Sequence, residues 1–171
     1  MAERSKHVLA LDLSPEMIRL ARERSAQFSN IEFQLADVLK LSLPAESFDC
    51  IASIATLHHL PLTEVLLKMK AALKPNGLLL ILDLFEPAGL SDSLLNLAAI
   101  PVSVALRLRH HGRLLPKREE RDAWAAHEVH DLYPTMRDVN ALCASVLPGA
   151  QIRKHLLWRY SIVWQKPGSL P

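Results

Sequence analysis

Short apolar runs alternate with stretches of helical periodicity along the first half of the chain. Val8-Leu9-Ala10-Leu11-Asp12 reads as a buried strand ending in a carboxylate. Ser14 suits an N-cap with Pro15 at the first helical position, where a missing N–H costs nothing. Met17, Ile18, Ala21 and Phe28 place an apolar stripe on the helix that follows, which is predicted to end near Ser29-Asn30. Ile31-Glu32-Phe33-Gln34-Leu35 alternates apolar and polar like a half-exposed edge strand and ends at Ala36-Asp37, a second carboxylate at a strand tip. Phe48 to Ile54 is a mostly apolar strand, followed by Leu57-His58-His59-Leu60-Pro61. A helix predicted over 63–73 carries Val65, Leu66, Met69 and Leu73 on one side and stops at Pro75-Asn76-Gly77. Leu78 to Leu82 is the most hydrophobic strand and runs into Asp83-Leu84-Phe85-Glu86-Pro87. A strand buried on both faces belongs at the centre of a parallel sheet. Strands and helices alternating at this spacing imply βαβ units and an α/β fold.

The second half reads differently. Residues 88–135 hold helical patterns without a convincing strand. A helix over 136–147 precedes Pro148-Gly149, and strands over 151–157 and 161–165 close the chain as a hairpin with weak turn chemistry around Arg159. Neither a repeat nor a linker interrupts the 171 residues, so one domain is expected.

Composition narrows the class. Half the residues are hydrophobic and 22% are charged, as in a globular protein. The net charge of +2 is too small to imply nucleic acid, although basic residues cluster from Arg107 through Arg121. Two cysteines, Cys50 and Cys143, make no disulfide framework, which points to a reducing cytoplasm. The N-terminus lacks the apolar core of a secretion signal. Leu94 to Leu108 is too short to span a bilayer and is interrupted by Asn96, Pro101, Ser103 and Arg107.

An acid at the tip of such a first strand is where nucleotide-binding α/β folds hold ribose hydroxyls, with a glycine-rich turn about twenty residues earlier. Only eleven residues precede Asp12 and none is glycine; the first glycine is Gly77. A carboxylate at a strand end also caps the turn that follows, which is the plainer role for both Asp12 and Asp37.

From Asp12-Leu13-Ser14-Pro15-Glu16-Met17 to Leu73-Lys74-Pro75-Asn76-Gly77 the chain resembles class I S-adenosylmethionine-dependent methyltransferases, in particular the type-11 small-molecule group. The shared features are the acid after the family's second strand, Ala36-Asp37 after the third and Ser47-Phe48-Asp49 opening the fourth. The Leu57-His58-His59-Leu60 segment and the Lys-Pro-Asn-Gly turn also match. The resemblance implies a Rossmann-like methyltransferase sheet in the order 3-2-1-4-5-7-6, mostly parallel with a C-terminal antiparallel hairpin and N-terminally incomplete. Within the single domain, 1–87 would be the cofactor-binding half, 88–135 a helical cover on the acceptor side, and 136–171 the closing helix and hairpin.

The resemblance also implies roles. Asp12 would accept from both ribose hydroxyls of S-adenosylmethionine, Leu13 and Met17 would press on the adenine, and Asp37 with Val38 would meet the adenine amino group and ring edge. Ser53, Ile54 and His58 would lie near the methionine arm and the acceptor. His58, His127 and Tyr133 are the candidates for chemistry. His127 and Asp131 share a helix face at i, i+4 spacing, as a base and its orienting carboxylate do, or as an ordinary solvated ion pair does. Adjacent His58 and His59 point in different directions and no other ligand falls at metal-site spacing, so no metal is expected.

Leu94, Leu95, Leu97, Ile100, Val102, Val104, Leu106 and Leu108, followed by Arg107, Arg109, Arg113, Lys117 and Arg118, suit a cover for a lipophilic or anionic small-molecule acceptor. The same stripe suits core packing, a membrane-surface helix or an oligomer interface. Without the family's first strand, which lies between strands two and four, those two would close up, gape, or admit another chain. Two further readings follow: a non-catalytic methyltransferase-fold partner of another subunit, and a nicotinamide-dependent dehydrogenase. Ser14-Pro15-Glu16-Met17 and the Lys-Pro-Asn-Gly turn speak against the dehydrogenase.

Overall fold

The structure, a computed structural model, describes residues 2–88, 101 and 133–168. They fall into two compact units, Met1–Pro44 and Ala45–Pro171.

In the first unit, β1 (Val8–Asp12) pairs in parallel with β2 (Ile31–Leu35), with Asp12 opposite Leu35. Between them runs α1 (Pro15–Arg24), capped by the Ser14 hydroxyl, which accepts from the Met17 N–H. The helix stops before the predicted Ser29-Asn30. The Ser25 N–H closes it on Ala21 and Arg22, the Phe28 N–H turns back to the Ser25 carbonyl, and the Asn30 amide donates to the carbonyls of Ala2 and Ser5. Those long-range bonds, which helical periodicity cannot encode, draw the chain off the helix axis and into β2.

The second unit is a four-stranded sheet in the order β3-β4-β6-β5. Its strands are β3 (Phe48–Ile54), β4 (Leu73–Leu84), β5 (Gln151–His155) and β6 (Arg159–Gln165), joined by α2 (Leu62–Ala72) and α3 (Met136–Val146). A 3-10 turn spans Leu57–His59. The β3–β4 pair is parallel, and β4–β6 and β5–β6 are antiparallel. In the family's numbering the two sheets reproduce the runs 3-2 and 4-5-7-6. Among the described residues nothing corresponds to strand one, and no ladder joins β1 to β3.

The β4 strand differs from expectation in two ways. It begins at Leu73, so Lys74-Pro75-Asn76-Gly77 forms an irregular strand start rather than a free turn; the register against β3 shifts there and Asn76 has φ 63°. Gly77 is needed for space, since a Cβ would lie 2.8 Å from the Lys74 carbonyl oxygen. Nor is the apolar run equally buried on both faces. Leu79, Ile81 and Asp83 are buried, whereas Leu78, Leu80 and Leu82 are only half-buried. The buried face packs with Tyr160, Ile162 and Trp164 of β6, which lie opposite Asp83, Ile81 and Leu79 in register. Val65, Leu66 and Met69 of α2 and Met136, Val139, Cys143 and Val146 of α3 complete the core.

Candidate active site

At the carboxyl ends of β1 and β2 the first unit gathers five of the expected residues. The Ala36 N–H donates to the Asp12 carbonyl at 3.0 Å, so the two acidic strand tips are neighbours. Asp12 Oδ1 accepts from the Ser14 N–H at 2.8 Å, the turn-capping role of a strand-end aspartate. Oδ2 has no partner among the described residues. Leu13 is 71% exposed and Met17 51%, an unusual display for two large apolar side chains flanking one acid. Asp37 is more committed to its own loop: Oδ1 accepts from the Leu39 N–H at 3.0 Å, and Lys40 Nζ stands 3.5 Å from Oδ2. Val38 beside it is half-buried. An open groove of about 480 Å³ in this unit, lined by residues such as Val8, Ala10, Phe28, Ile31 and Phe33, contains none of these candidates.

The second unit places Ser53, Ile54 and His58 at the carboxyl ends of β3 and β4. Ser53 is buried on the same face as its register partner Ile81, while Ile54 is 68% exposed. His58 is 6% exposed because the 3-10 turn folds its ring over the end of β4. There it meets a residue to which the sequence assigned no role. Asp83, 1% exposed, sets Oδ1 2.6 Å from His58 Nδ1. Oδ1 also accepts from the Leu84 N–H at 2.7 Å, and Oδ2 from the Thr56 N–H at 3.2 Å and the Leu57 N–H at 2.5 Å. A buried carboxylate is costly unless donors surround it, and here four do. One signal was present in the sequence: Leu79, Ile81 and Asp83 share a parity, so a strand that buries two buries the third.

Tyr133 joins this pair. The Glu86 N–H donates to the Pro134 carbonyl at 3.0 Å, pinning the segment before α3 beside the end of β4. The Tyr133 ring stacks on His58 with centroids 5.2 Å apart and planes 15° apart. His59 sets its own ring centroid 3.9 Å from that of His58 but is exposed. A small cleft lined by Ile54, Ala55, Leu82, Asp83, Leu84 and Arg159 opens at these strand ends. Burial, and then the charge of Asp83, pushes the Tyr160 hydroxyl far above its ordinary range. His127, Asp131 and the apolar-then-basic stretch 94–118, apart from position 101, lie outside the described residues. No group of three metal-ligating side chains occurs among those described.

The methyltransferase domain family matches residues 1–81. Over these residues the chain is similar to methyltransferase domains. The chain is 28% identical to an uncharacterized methyltransferase of Mycobacterium tuberculosis, Rv0089, over 171 residues, covering 98% of this chain and 80% of that one. It is 28% identical over 142 residues to the ubiquinone/menaquinone biosynthesis C-methyltransferase UbiE of Pseudomonas paraeruginosa, covering 81% of this chain and 54% of that enzyme. The chain thus spans about half the length of UbiE. The solved N-methyltransferase NodS of Bradyrhizobium japonicum, in complex with S-adenosyl-L-homocysteine, superposes with a TM-score of 0.60 over 97% of this chain and 69% of NodS. At 15% identity that likeness is one of fold, which is Rossmann-like.

Proposed function

We propose that this chain performs S-adenosylmethionine-dependent methyl transfer to a small-molecule acceptor. The observation that carries the proposal is the cluster Asp12, Leu13, Met17 and Asp37 at the carboxyl ends of β1 and β2, in a domain of a methyl-transferring family. A carboxylate oxygen with no partner among the described residues, beside two exposed apolar side chains, fits the nucleoside half of the cofactor. Asp12 Oδ2 accepts from the ribose diol, Leu13 and Met17 cover the adenine faces, and Asp37 with Val38 meets its edge. The family resemblance is what assigns Ser53, Ile54 and His58 to the methionine arm and the acceptor. The bound cofactor supplies a methyl group already activated on a positively charged sulfur. The protein's task is to align donor and acceptor and exclude water.

UbiE acts in quinone biosynthesis by its name, and the apolar stretch from Leu94 to Leu108 supports a lipophilic acceptor here too. Calorimetric titration with S-adenosylhomocysteine tests the reading. The chain is expected to bind, and Asp12→Ala to weaken binding about ten- to a hundredfold, as loss of a charge-assisted hydrogen bond does. An unchanged dissociation constant removes Asp12 from the site; no binding by a cooperatively folded chain overturns the proposal.

A further inference from the structure

Nothing in nucleoside binding requires a histidine whose ring is held by a buried aspartate under a stacked tyrosine. We propose that His58 is the proton acceptor of the transfer reaction and Asp83 its positioning residue, and that the acceptor is a molecule with a proton to lose, an O–H or an activated C–H. The inference rests on the methyl-transfer reading above and narrows its substrate class.

Asp83 Oδ1 stands 2.6 Å from His58 Nδ1. A carboxylate only accepts, so the neutral ring carries its proton on Nδ1 and its lone pair on Nε2. Among the described residues, the other charged or titratable groups near the His58–Asp83 pair are His59 of the same turn, Tyr133 stacked upon the ring, and Tyr160 and Arg159 of β6, the one opposite Asp83 and the other lining the cleft there. None of them competes with Asp83 for Nδ1 among the bonds of the described residues. As the acceptor's O–H or C–H bond breaks, its proton forms the Nε2–H bond. The electron pair left on oxygen or carbon would take the methyl group as its bond to the sulfonium sulfur breaks, the bonding pair staying on sulfur to leave a neutral thioether, and the imidazolium would afterwards return its proton to water. An orienting carboxylate, a histidine base and a proton-bearing acceptor are the general requirements of such a step.

The Asp83→Asn variant separates a base from a mere structural cap. Oδ2 accepts from two backbone N–H groups and Oδ1 from one, so the asparagine oxygen keeps the Thr56 and Leu57 side and its NH2 faces His58. That reverses the tautomer, placing the ring proton on Nε2. The measurement is carbethoxylation by diethyl pyrocarbonate at pH 8, mapped by mass spectrometry, with nitrogen-15 spectra of the ring. In the unaltered protein His58 is expected to react at Nε2 and to show a protonated Nδ1. In Asp83→Asn the reaction at Nε2 slows about tenfold or more, the population cost of losing the favoured hydrogen bond. A ring proton found on Nε2 of the unaltered protein overturns the proposal. So does a His58 that stays inert while exposed His7, His59 and His155 react, and both readouts stand even if the variant does not fold. Calorimetry with S-adenosylhomocysteine on the same preparation keeps the two proposals apart: an inert His58 in a chain that binds sinks only the base, and a reactive His58 in a chain that does not bind sinks methyl transfer.

Discussion

Asp83 and Cys143 show two ways of burying an ionisable side chain. Asp83 is surrounded by four donors, whereas Cys143 on α3 is 2% exposed among Val139, Val146 and the sheet and relies on staying neutral. Burial pushes its thiol up to about 11, from an ordinary value of about 8.5. An acid whose folded pKa is raised contributes stability that is complete below its unfolded pKa and is lost as pH rises toward the folded one. Urea midpoints are therefore expected to fall between about pH 8.5 and 11, and more steeply than in Cys143→Ala. The comparison with the variant matters because Tyr160, also raised by burial, begins to contribute at the upper end of that window. Parallel slopes in the two proteins would show that Cys143 is not the group responsible. The place of Asp12 at a strand tip was legible because its signal is local, a strand followed by Ser-Pro-Glu. The partners of Asp83 were not, because Leu57 and His58 lie about 25 residues away and only the fold brings them to it.

Among the elements, the closing hairpin is the most strained. Its strands meet at His155 and Arg159, and two residues of the intervening loop, Leu157 and Trp158, have φ of 64° and 57°. Left-handed backbone costs an ordinary L-residue about 1–2 kcal/mol, and asparagine much less. Leu157→Asn is expected to raise the unfolding free energy by a few tenths to about 1 kcal/mol in urea titration. A loss instead means that the half-buried Leu157 side chain packs for more than the strain it carries. The same residues explain what was hard to read. Strands β1, β2, β3 and β6, α2 and the core of α3 follow from periodicity, but this turn has no glycine or asparagine to announce it. The end of α1 was equally hidden, since Phe28 continues the apolar stripe past the point where Ser25 closes the helix.

At the scale of the whole molecule the candidate residues divide between two units of unequal solidity. Asp12, Leu13, Met17, Asp37 and Val38 stand on the first; Ser53, Ile54, His58, Asp83 and Tyr133 stand on the second. Of the hydrophobic side chains that are buried among the described residues, Ile18 alone belongs to the first unit, while Leu79, Ile162, Trp164 and the rest belong to the second. A two-stranded ladder with little core opens readily. Amide hydrogens of β1 and β2 should therefore exchange at lower urea concentration than those of β4 and β6, read by mass spectrometry of the exchanged peptides. Equal protection throughout would mean that the chain unfolds as one body. Bound S-adenosylhomocysteine, held by the first unit under the proposed function, should narrow the difference.

The parity of β4 has a consequence for how this gene can change. Leu79, Ile81 and Asp83 face the core because a strand turns every second residue the same way. Gain or loss of one codon between Leu79 and Asp83 would leave composition almost untouched yet carry the aspartate to the opposite face, away from His58. A change of two codons would keep the alternation. Inheritance of this site therefore depends on an odd-or-even count along one strand as much as on which amino acids the strand contains.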